Sequence, residues 1–410
     1  MFTRDQYGLA VSNASSDAIA SYDAYAFSFI SYGPDIRLLF AAADDAPDAP
    51  LLQAHAAGLH MAFEGREGFE SAQPYLEKMR AAAKHARPRE AAYCEAVEAW
   101  ARRDYRTALS RFDAVTAAWP ADLCAIKWAQ YHAFNLGDDA ALRRLGDRAM
   151  IAHRNAPFAH GMRAFGLEQS HRIGEAEDEA RRALDIEPGD AWAHHAMAHV
   201  FETLGRAEEG AQWMRANSAW WADRGVFIRL HNWWHTALFN LTCGRTDEAV
   251  SIFDERLVGE WPEFPQEQIG AVSMLWRLEM RGVEVGDRWA PVVEQARARA
   301  GETLLPFHEL HYAYAVARAG TAEESAAQLA HIDAAGESGM PHADVWRGVV
   351  APAARGVIAF AQDRYEDAAI ELGEALPGLQ SIGGSHAQRH VFVEALAYAR
   401  AQAAPSAAAA

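Results

Sequence analysis

A repeat of about 34 residues is the feature that most restricts how this 410-residue chain can fold. Four equivalent positions recur at this constant interval, and all but Leu142 are small: Ala108, Leu142, Ala176 and Gly210. Pro120 and Pro188 each follow a small residue by twelve positions. A helix–turn–helix unit of this length needs small residues where its helices cross and a proline where the second helix stops. The period therefore predicts helix pairs, each burying its apolar face on the next pair.

The same frame fits further units around Ala249 and Ala368. It is regular from residue 90 to 255, whereas prolines and glycines interrupt it from 265 to 400. Strand signals are almost absent, and apolar residues recur at helical spacing. We therefore predict an all-α fold, a solenoid of tetratricopeptide-like helix pairs.

The frame also predicts how the chain is divided. Residues 1–50 form a helical segment outside the repeat that ends in an acidic, proline-containing linker. Tetratricopeptide-like repeats follow over 51–265, and divergent helical repeats over 266–402. The alanine-rich segment 403–410 has no packing pattern, so we expect a disordered tail.

Composition excludes several classes of protein. The chain has 38 basic and 56 acidic residues and a net charge of −18, so it repels phosphate backbones and we expect no nucleic-acid partner. No stretch approaches 18 apolar residues, so we expect no membrane span, and the first residues show no signal peptide. Cys94, Cys124 and Cys243 are widely spaced, which argues against a disulfide framework. These features predict a cytoplasmic protein.

Histidines occupy positions that should hold packing residues. After Trp192, where the repeat favours tryptophan, His195 and His199 stand at apolar and aromatic positions, and Glu202 continues the same helical face. A buried imidazole is destabilising unless its ring nitrogens find partners. Two further histidine pairs lie on later helices, and a last cluster occupies 383–390. The pairs are His231 with His235 and His308 with His311.

First helices of solenoid repeats line the concave surface, so we expect these side chains to converge in a pocket. Two imidazoles could then act as general acid and base, with Glu202 fixing a tautomer. Alternatively, a divalent metal could be bound, although no other cofactor is predicted. Its ligands would be His195, His199, His231 and His235. Aromatic walls and an anion contact would come from Trp192, Trp234, Trp276 and Arg389.

Three interpretations of the histidines remain once several enzyme classes are excluded. The sequence has neither a glycine-rich phosphate loop nor a G-x-S-x-G elbow, which excludes kinases, NTPases and α/β-hydrolases. The leading prediction is thus a solenoid that binds a small molecule in a histidine-lined pocket and could act as an enzyme. The alternative is a non-catalytic scaffold that binds a peptide or protein in its groove, and the third possibility is a purely structural histidine network.

Four segments resemble a known family. They are residues 190–202, 231–239, 275–279 and 383–389, which include the run Asp190-Ala191-Trp192-Ala193-His194-His195. Together they are similar to the tetratricopeptide repeat protein 38 family over most of the chain, most closely from 155 to 280. The resemblance implies a right-handed helical solenoid and brings no established reaction. His390 departs from the pattern, which has an acidic residue there.

Overall fold

The computed structural model describes residues 2–404, which divide into two compact units. Unit 1 contains the described residues up to Phe134 together with Asp138–Phe239. Unit 2 contains Asn135–Gly137 and the described residues from Asn240 onward. Nearly all regular structure is helical in both units. The predicted all-α fold is therefore confirmed, while the right-handed course stays a prediction.

Unit 1 opens with a short antiparallel hairpin of β1 (Phe2–Arg4) and β2 (Ala10–Ser12), which the sequence did not lead us to expect. Its first helices are α1 (Ser16–Ser31), α2 (Leu38–Asp45), α3 (Pro50–Met61), α4 (Arg66–Ala82), α5 (Pro88–Ala101), α6 (Tyr105–Ala118) and α7 (Leu123–Asn135). The others are α8 (Asp139–Ala152), α9 (Ala159–Gln169), α10 (Ile173–Ile186), α11 (Ala191–Thr203), α12 (Ala207–Asn217) and α13 (Val226–Thr242). The ends of α7 and α13 extend into unit 2.

Unit 2 contains the remaining helices, and its turns are less regular. These helices are α14 (Thr246–Ile252), α15 (Pro265–Met280), α16 (Trp289–Ala298), α17 (Pro306–Ala319), α18 (Ala322–Glu337), α19 (Ala343–Val345), α20 (Ala351–Ala361), α21 (Tyr365–Ala375) and α22 (His386–Ala403). Wider π-helical turns extend α14 and precede α20. The expected tail lies outside the described residues from position 405 onward. Within residues 2–404, no helix is long and apolar enough to cross a bilayer.

The repeat period coincides with the second helix of successive pairs. Helices α6, α8, α10 and α12 begin at residues 105, 139, 173 and 207, each one repeat length after the one before. Each carries its small or apolar repeat position three residues later, and these positions are buried: Ala108, Leu142, Ala176 and Gly210. Gly210 packs against the ring of Phe239, which a Cβ at position 210 would approach to 2.6 Å. The helix crossing therefore requires a small residue at position 210.

Gly166 provides a test of this close packing. A Cβ on Gly166 of α9 would lie 2.6 Å from the carbonyl oxygen of Leu142 in α8, a backbone atom that cannot rotate away. We expect Gly166→Ala to lower the unfolding free energy by about 1–3 kcal/mol through overpacking. A Cβ on Gly174 of α10 would meet nothing within 4 Å. Gly174→Ala is therefore the control, expected to raise stability by up to about 1 kcal/mol. Urea unfolding measures both, and equal effects would contradict the packing argument.

Before the first repeat pair, the N-terminal segment (residues 2–32) is anchored on helices far along the chain. Arg89 of α5 pairs with Asp5 at 3.3 Å and with Asp122 at 2.8 Å. The neighbouring Glu90 accepts a hydrogen bond from the backbone N–H of Ser12 at 2.7 Å. All of these side chains are buried. The strands of the hairpin are short, so the hairpin is held in place mainly by these ion pairs and hydrogen bonds to distant residues.

The end of α1 makes further contacts with distant parts of the chain. Lys127 of α7 donates to the carbonyl of Ile30 at 3.3 Å, and the backbone N–H of Gly225 donates to that of Tyr32 at 2.6 Å. The Tyr32 ring stacks on Trp192 of α11, with centroids 5.4 Å apart. The N-terminal segment therefore touches α5, α7, α11 and the turn before α13. Through Trp192, it reaches the edge of the histidine cluster.

Candidate metal centre

Two helices of unit 1 supply the histidines. Asp190 caps α11 by accepting hydrogen bonds from the backbone N–H groups of Trp192 and Ala193 at 3.0 Å each. Along α11, His195 and His199 lie one turn apart, and His231 and His235 repeat that spacing on α13. Residues four apart share one helical face, so each helix presents a pair of imidazoles.

The structure brings these four histidines together. One ring nitrogen from each of His195, His199, His231 and His235 lies within 4.8 Å of the other three. The Nε2 atoms of His195 and His199 are 3.0 Å apart. Three of the side chains are at most 2% exposed, and only His231 is half-buried. Side chains from two different helices therefore form one compact, nearly solvent-free cluster, referred to below as the imidazole cluster.

Burial decides the protonation of two members. Burial, reinforced by the neighbouring imidazoles, holds the pKa of His195 well below its usual value. The pKa of His231 is likewise held well below its usual value by burial and by His235. Both rings are consequently neutral at pH 7. A neutral imidazole keeps one nitrogen lone pair, and this is the form that binds metals.

Two carboxylates lie beside the cluster. Oε2 of Glu168 is 3.6 Å from Nδ1 of His199, and Oε2 of Glu202 is 3.5 Å from Nδ1 of His235. These separations are within ion-pair range but longer than a hydrogen bond. A carboxylate beside Nδ1 favours the proton on that nitrogen, which leaves the Nε2 lone pair for a metal. For His199 the geometry agrees, because its Nε2 faces His195.

Glu168 was not predicted from the sequence. It lies on α9, is fully buried, and accepts hydrogen bonds from Thr203 at 2.9 Å and Gln169 at 2.5 Å. Burial raises the pKa of Glu168 to about 7 despite these two bonds. The repeat spacing could have identified Glu168, because it stands one repeat length before Glu202. The same position of two successive repeats therefore supplies both carboxylates.

Aromatic rings surround the cluster. Trp192 lies 4.4 Å from His195 between ring centroids, and Trp234 stacks on His231 at 5.5 Å with the ring planes 3° apart. Phe227 also stacks on His231, with ring centroids 5.7 Å apart. Both predicted wall residues in unit 1, Trp192 and Trp234, thus contact predicted histidines. The aromatic surroundings keep water away from three of the four imidazoles.

The other predicted site residues belong to unit 2. His308 and His311 are buried on α17, where burial lowers their pKa values to about 3 and about 4. Nδ1 of His311 bonds the carbonyl of Phe307 at 2.8 Å, and Nε2 of His308 lies 3.3 Å from Nε2 of Gln266. These two histidines therefore have their own surroundings in unit 2.

Trp276 and Arg389 also have clear surroundings in unit 2. Trp276 is fully buried and stacks on Tyr314 with centroids 3.9 Å apart, so it belongs to the aromatic core of this unit. The guanidinium of Arg389 donates to the backbone carbonyls of Gly383 and Gly384 and lies 3.1 Å from Nδ1 of His386. Arg389 thereby stabilises the turn that precedes α22.

No protein-family model matches this chain. The cluster offers four nitrogen ligands, two adjacent carboxylates and an aromatic surround. This donor set suits borderline metals such as zinc, copper, iron and nickel better than magnesium or calcium.

Proposed function

We propose that this protein binds a divalent transition-metal ion through His195, His199, His231 and His235, and that the metal centre receives a small molecule. The observation that carries the proposal is the placement of four imidazole nitrogens within 4.8 Å of one another in a buried site. Around a tetrahedral zinc ion, nitrogen ligands at about 2.0–2.1 Å stand roughly 3.4 Å from each other. Small side-chain rotations that move the ring nitrogens by about 1 Å would give the cluster this geometry.

Metal binding fits the cluster better than acid–base catalysis by the imidazoles. A general acid or base works best with a pKa near the working pH. Burial holds the pKa values of His195 and His231 far below that range, so neither ring is a positively charged imidazolium at neutrality. Metal ligands need the opposite property, a neutral ring with an available lone pair.

The two carboxylates answer the charge problem of a buried cation. Four neutral imidazoles do nothing to offset the charge of a divalent ion, and a buried uncompensated charge is strongly destabilising. A bound cation would favour the ionised form of Glu168, whose pKa is otherwise raised to about 7, and Glu168 and Glu202 would then contribute two negative charges directly beside the ligand rings. They would also orient the His199 and His235 rings through Nδ1. The residues around the cluster therefore support a site that is neutral overall.

The small-molecule part of the proposal follows from coordination number and exposure. Four histidines would saturate a tetrahedral zinc ion, whereas an ion such as iron or nickel that accepts five or six ligands keeps one or two further positions. His231 is the most exposed of the four, so its side of the cluster is where a ligand would approach. We further propose, from the sequence, a cytoplasmic protein of the tetratricopeptide repeat protein 38 family with tetratricopeptide-type repeats. A peptide-binding scaffold is the alternative, and it needs no metal.

Metal analysis of untagged protein tests the proposal. We expect elemental analysis to find close to one transition-metal ion per chain in protein as purified. After removal by a chelator, cobalt(II) titration should give a saturable visible absorption with an endpoint of one per chain. Substoichiometric metal in the purified protein together with no saturable cobalt uptake would refute the metal centre.

A further inference from the structure

Unit 2 contains a pocket of about 420 Å³ that shares no residue with the imidazole cluster. Its volume lies within the range of small-molecule sites in proteins. It forms where α15, α17 and α20 end, and the turn at 281–286 closes one side. Five of its lining residues are aromatic: Trp289, Tyr314, Phe360, Tyr365 and Tyr398.

These rings form one continuous wall. The centroids of Phe360, Tyr365 and Tyr398 are 5.6–5.7 Å apart, with ring planes inclined by 56–78°. Trp289 continues the wall at 5.8 Å from Tyr314. Tyr314 is fixed from behind by its stacked contact with Trp276, so the wall is preformed. Tyr365 and Tyr398 are half-buried, line the pocket and pack against the buried ring of Phe360.

The lining of the pocket carries a net negative charge. Glu279, Glu284 and Asp363 are acidic, whereas Arg318 is the one basic side chain among the described lining residues. The Arg318 guanidinium is already held by Glu279, with N–O distances of 2.8 and 3.1 Å. The charge of the Glu279 carboxylate is thereby neutralised, and Glu284 and Asp363 leave a net charge of about −2 at the pocket. An anionic ligand is therefore disfavoured.

We propose that this pocket binds an organic ammonium cation whose methylated or quaternary head rests on the Tyr365–Tyr398 side of the wall. The face of an aromatic ring is electronegative and attracts a cation that sheds its water easily, as methylated ammonium groups do. The surrounding acids add a longer-range attraction of the same sign. This site goes beyond the proposed metal centre and is independent of it.

A matched pair of ligands separates charge from shape. Full-length protein is titrated calorimetrically with choline and with 3,3-dimethyl-1-butanol, which replaces the ammonium nitrogen by carbon and is neutral. We expect saturable choline binding, and we expect the neutral analogue to bind at least about tenfold more weakly than choline. Equal affinity would show a merely apolar pocket and overturn the proposal. The absence of saturable choline binding in the millimolar range would also overturn it.

Variants of Tyr365 locate the binding face. Its hydroxyl donates to Asp363 at 2.7 Å, so a change at this residue can act through the ring or through that bond. We expect Tyr365→Leu to weaken choline binding about fivefold or more, and Tyr365→Phe to leave it unchanged. Equal losses in both variants would assign the effect to the hydroxyl and contradict the ring-face site. If Tyr365→Leu fails to fold, Tyr398→Leu tests the same wall, and unchanged choline affinity there overturns the proposal.

Discussion

His195→Ala is expected to abolish stoichiometric metal uptake and, with it, the stabilisation that metal gives to the fold. Metal present at about a hundred times its dissociation constant raises the unfolding free energy by about 2.7 kcal/mol. If losing one of four ligands weakens binding about a thousandfold or more, the same metal concentration gives less than about 0.1 kcal/mol. Urea unfolding with and without zinc(II) measures this increment. His195 is buried in the cluster, so the apo variant can also change in stability, but only the increment reports on the metal.

Three further variants make this experiment specific. His390 is exposed and stands outside the cluster, so His390→Ala should keep the full metal-dependent increment. Glu168→Gln and Glu202→Gln keep all four ligands and should weaken metal binding by only about 10–100-fold. A wild-type increment in His195→Ala would disprove the assignment of His195 as a ligand. A carboxylate variant as severe as His195→Ala would contradict the proposed division between ligands and orienting groups.

Arg89→Met is expected to lower the unfolding free energy by about 3–5 kcal/mol, because it leaves buried carboxylates without their cation. The side chains of Asp5 and Asp122 are each 1% exposed, and Arg89 bonds both. It also donates to the carbonyl of Ala10 at 3.0 Å, so the N-terminal hairpin loses two of its anchors. Arg102→Met is the control, since its ion pair with Glu98 is largely exposed and should contribute at most about 1 kcal/mol.

The loss of unfolding free energy in Arg89→Met relative to wild type should be smaller at acidic pH. Burial already raises the pKa of Asp5, and Arg89 opposes that shift. Without Arg89, the pKa of Asp5 in the folded protein rises further above its unfolded value. The folded variant then binds more protons than the unfolded chain, so its stability falls as pH rises. Urea unfolding at pH 5 and pH 8 measures the difference between variant and wild type. An equal deficit at both pH values would mean that lost packing, rather than buried charge, dominates.

The repeat predicted the fold well because helix crossings constrain single residues. Ala108, Ala176 and Gly210 are small for a local steric reason, so the repeat period is visible in the sequence alone. The hairpin formed by Phe2–Arg4 and Ala10–Ser12 was missed because each strand has only three residues and no lasting alternation. Its position depends on Arg89 and Glu90, which are distant in sequence. Such charge contacts leave no periodic signal.

The candidate site was predictable to a smaller extent. Spacing of four residues placed His195 with His199 and His231 with His235, but their meeting depends on how α11 packs against α13. Periodicity gives the face of a helix and not the distance between helices. Glu168 was missed although it repeats Glu202 one unit earlier, because a single glutamate resembles ordinary surface charge. Only its complete burial distinguishes it.

The anchoring of the N-terminal segment sets an order of events during synthesis. Tyr32 is made before its partners Lys127, Trp192 and Gly225, which follow about 95–193 positions later. At about 5–20 residues per second, the last of these contacts waits roughly 10–40 s after Tyr32 is made. During that interval the early segment has no completed docking surface. Successive helix pairs can fold as they emerge, whereas the segment around Tyr32 must wait for partners much further along the chain.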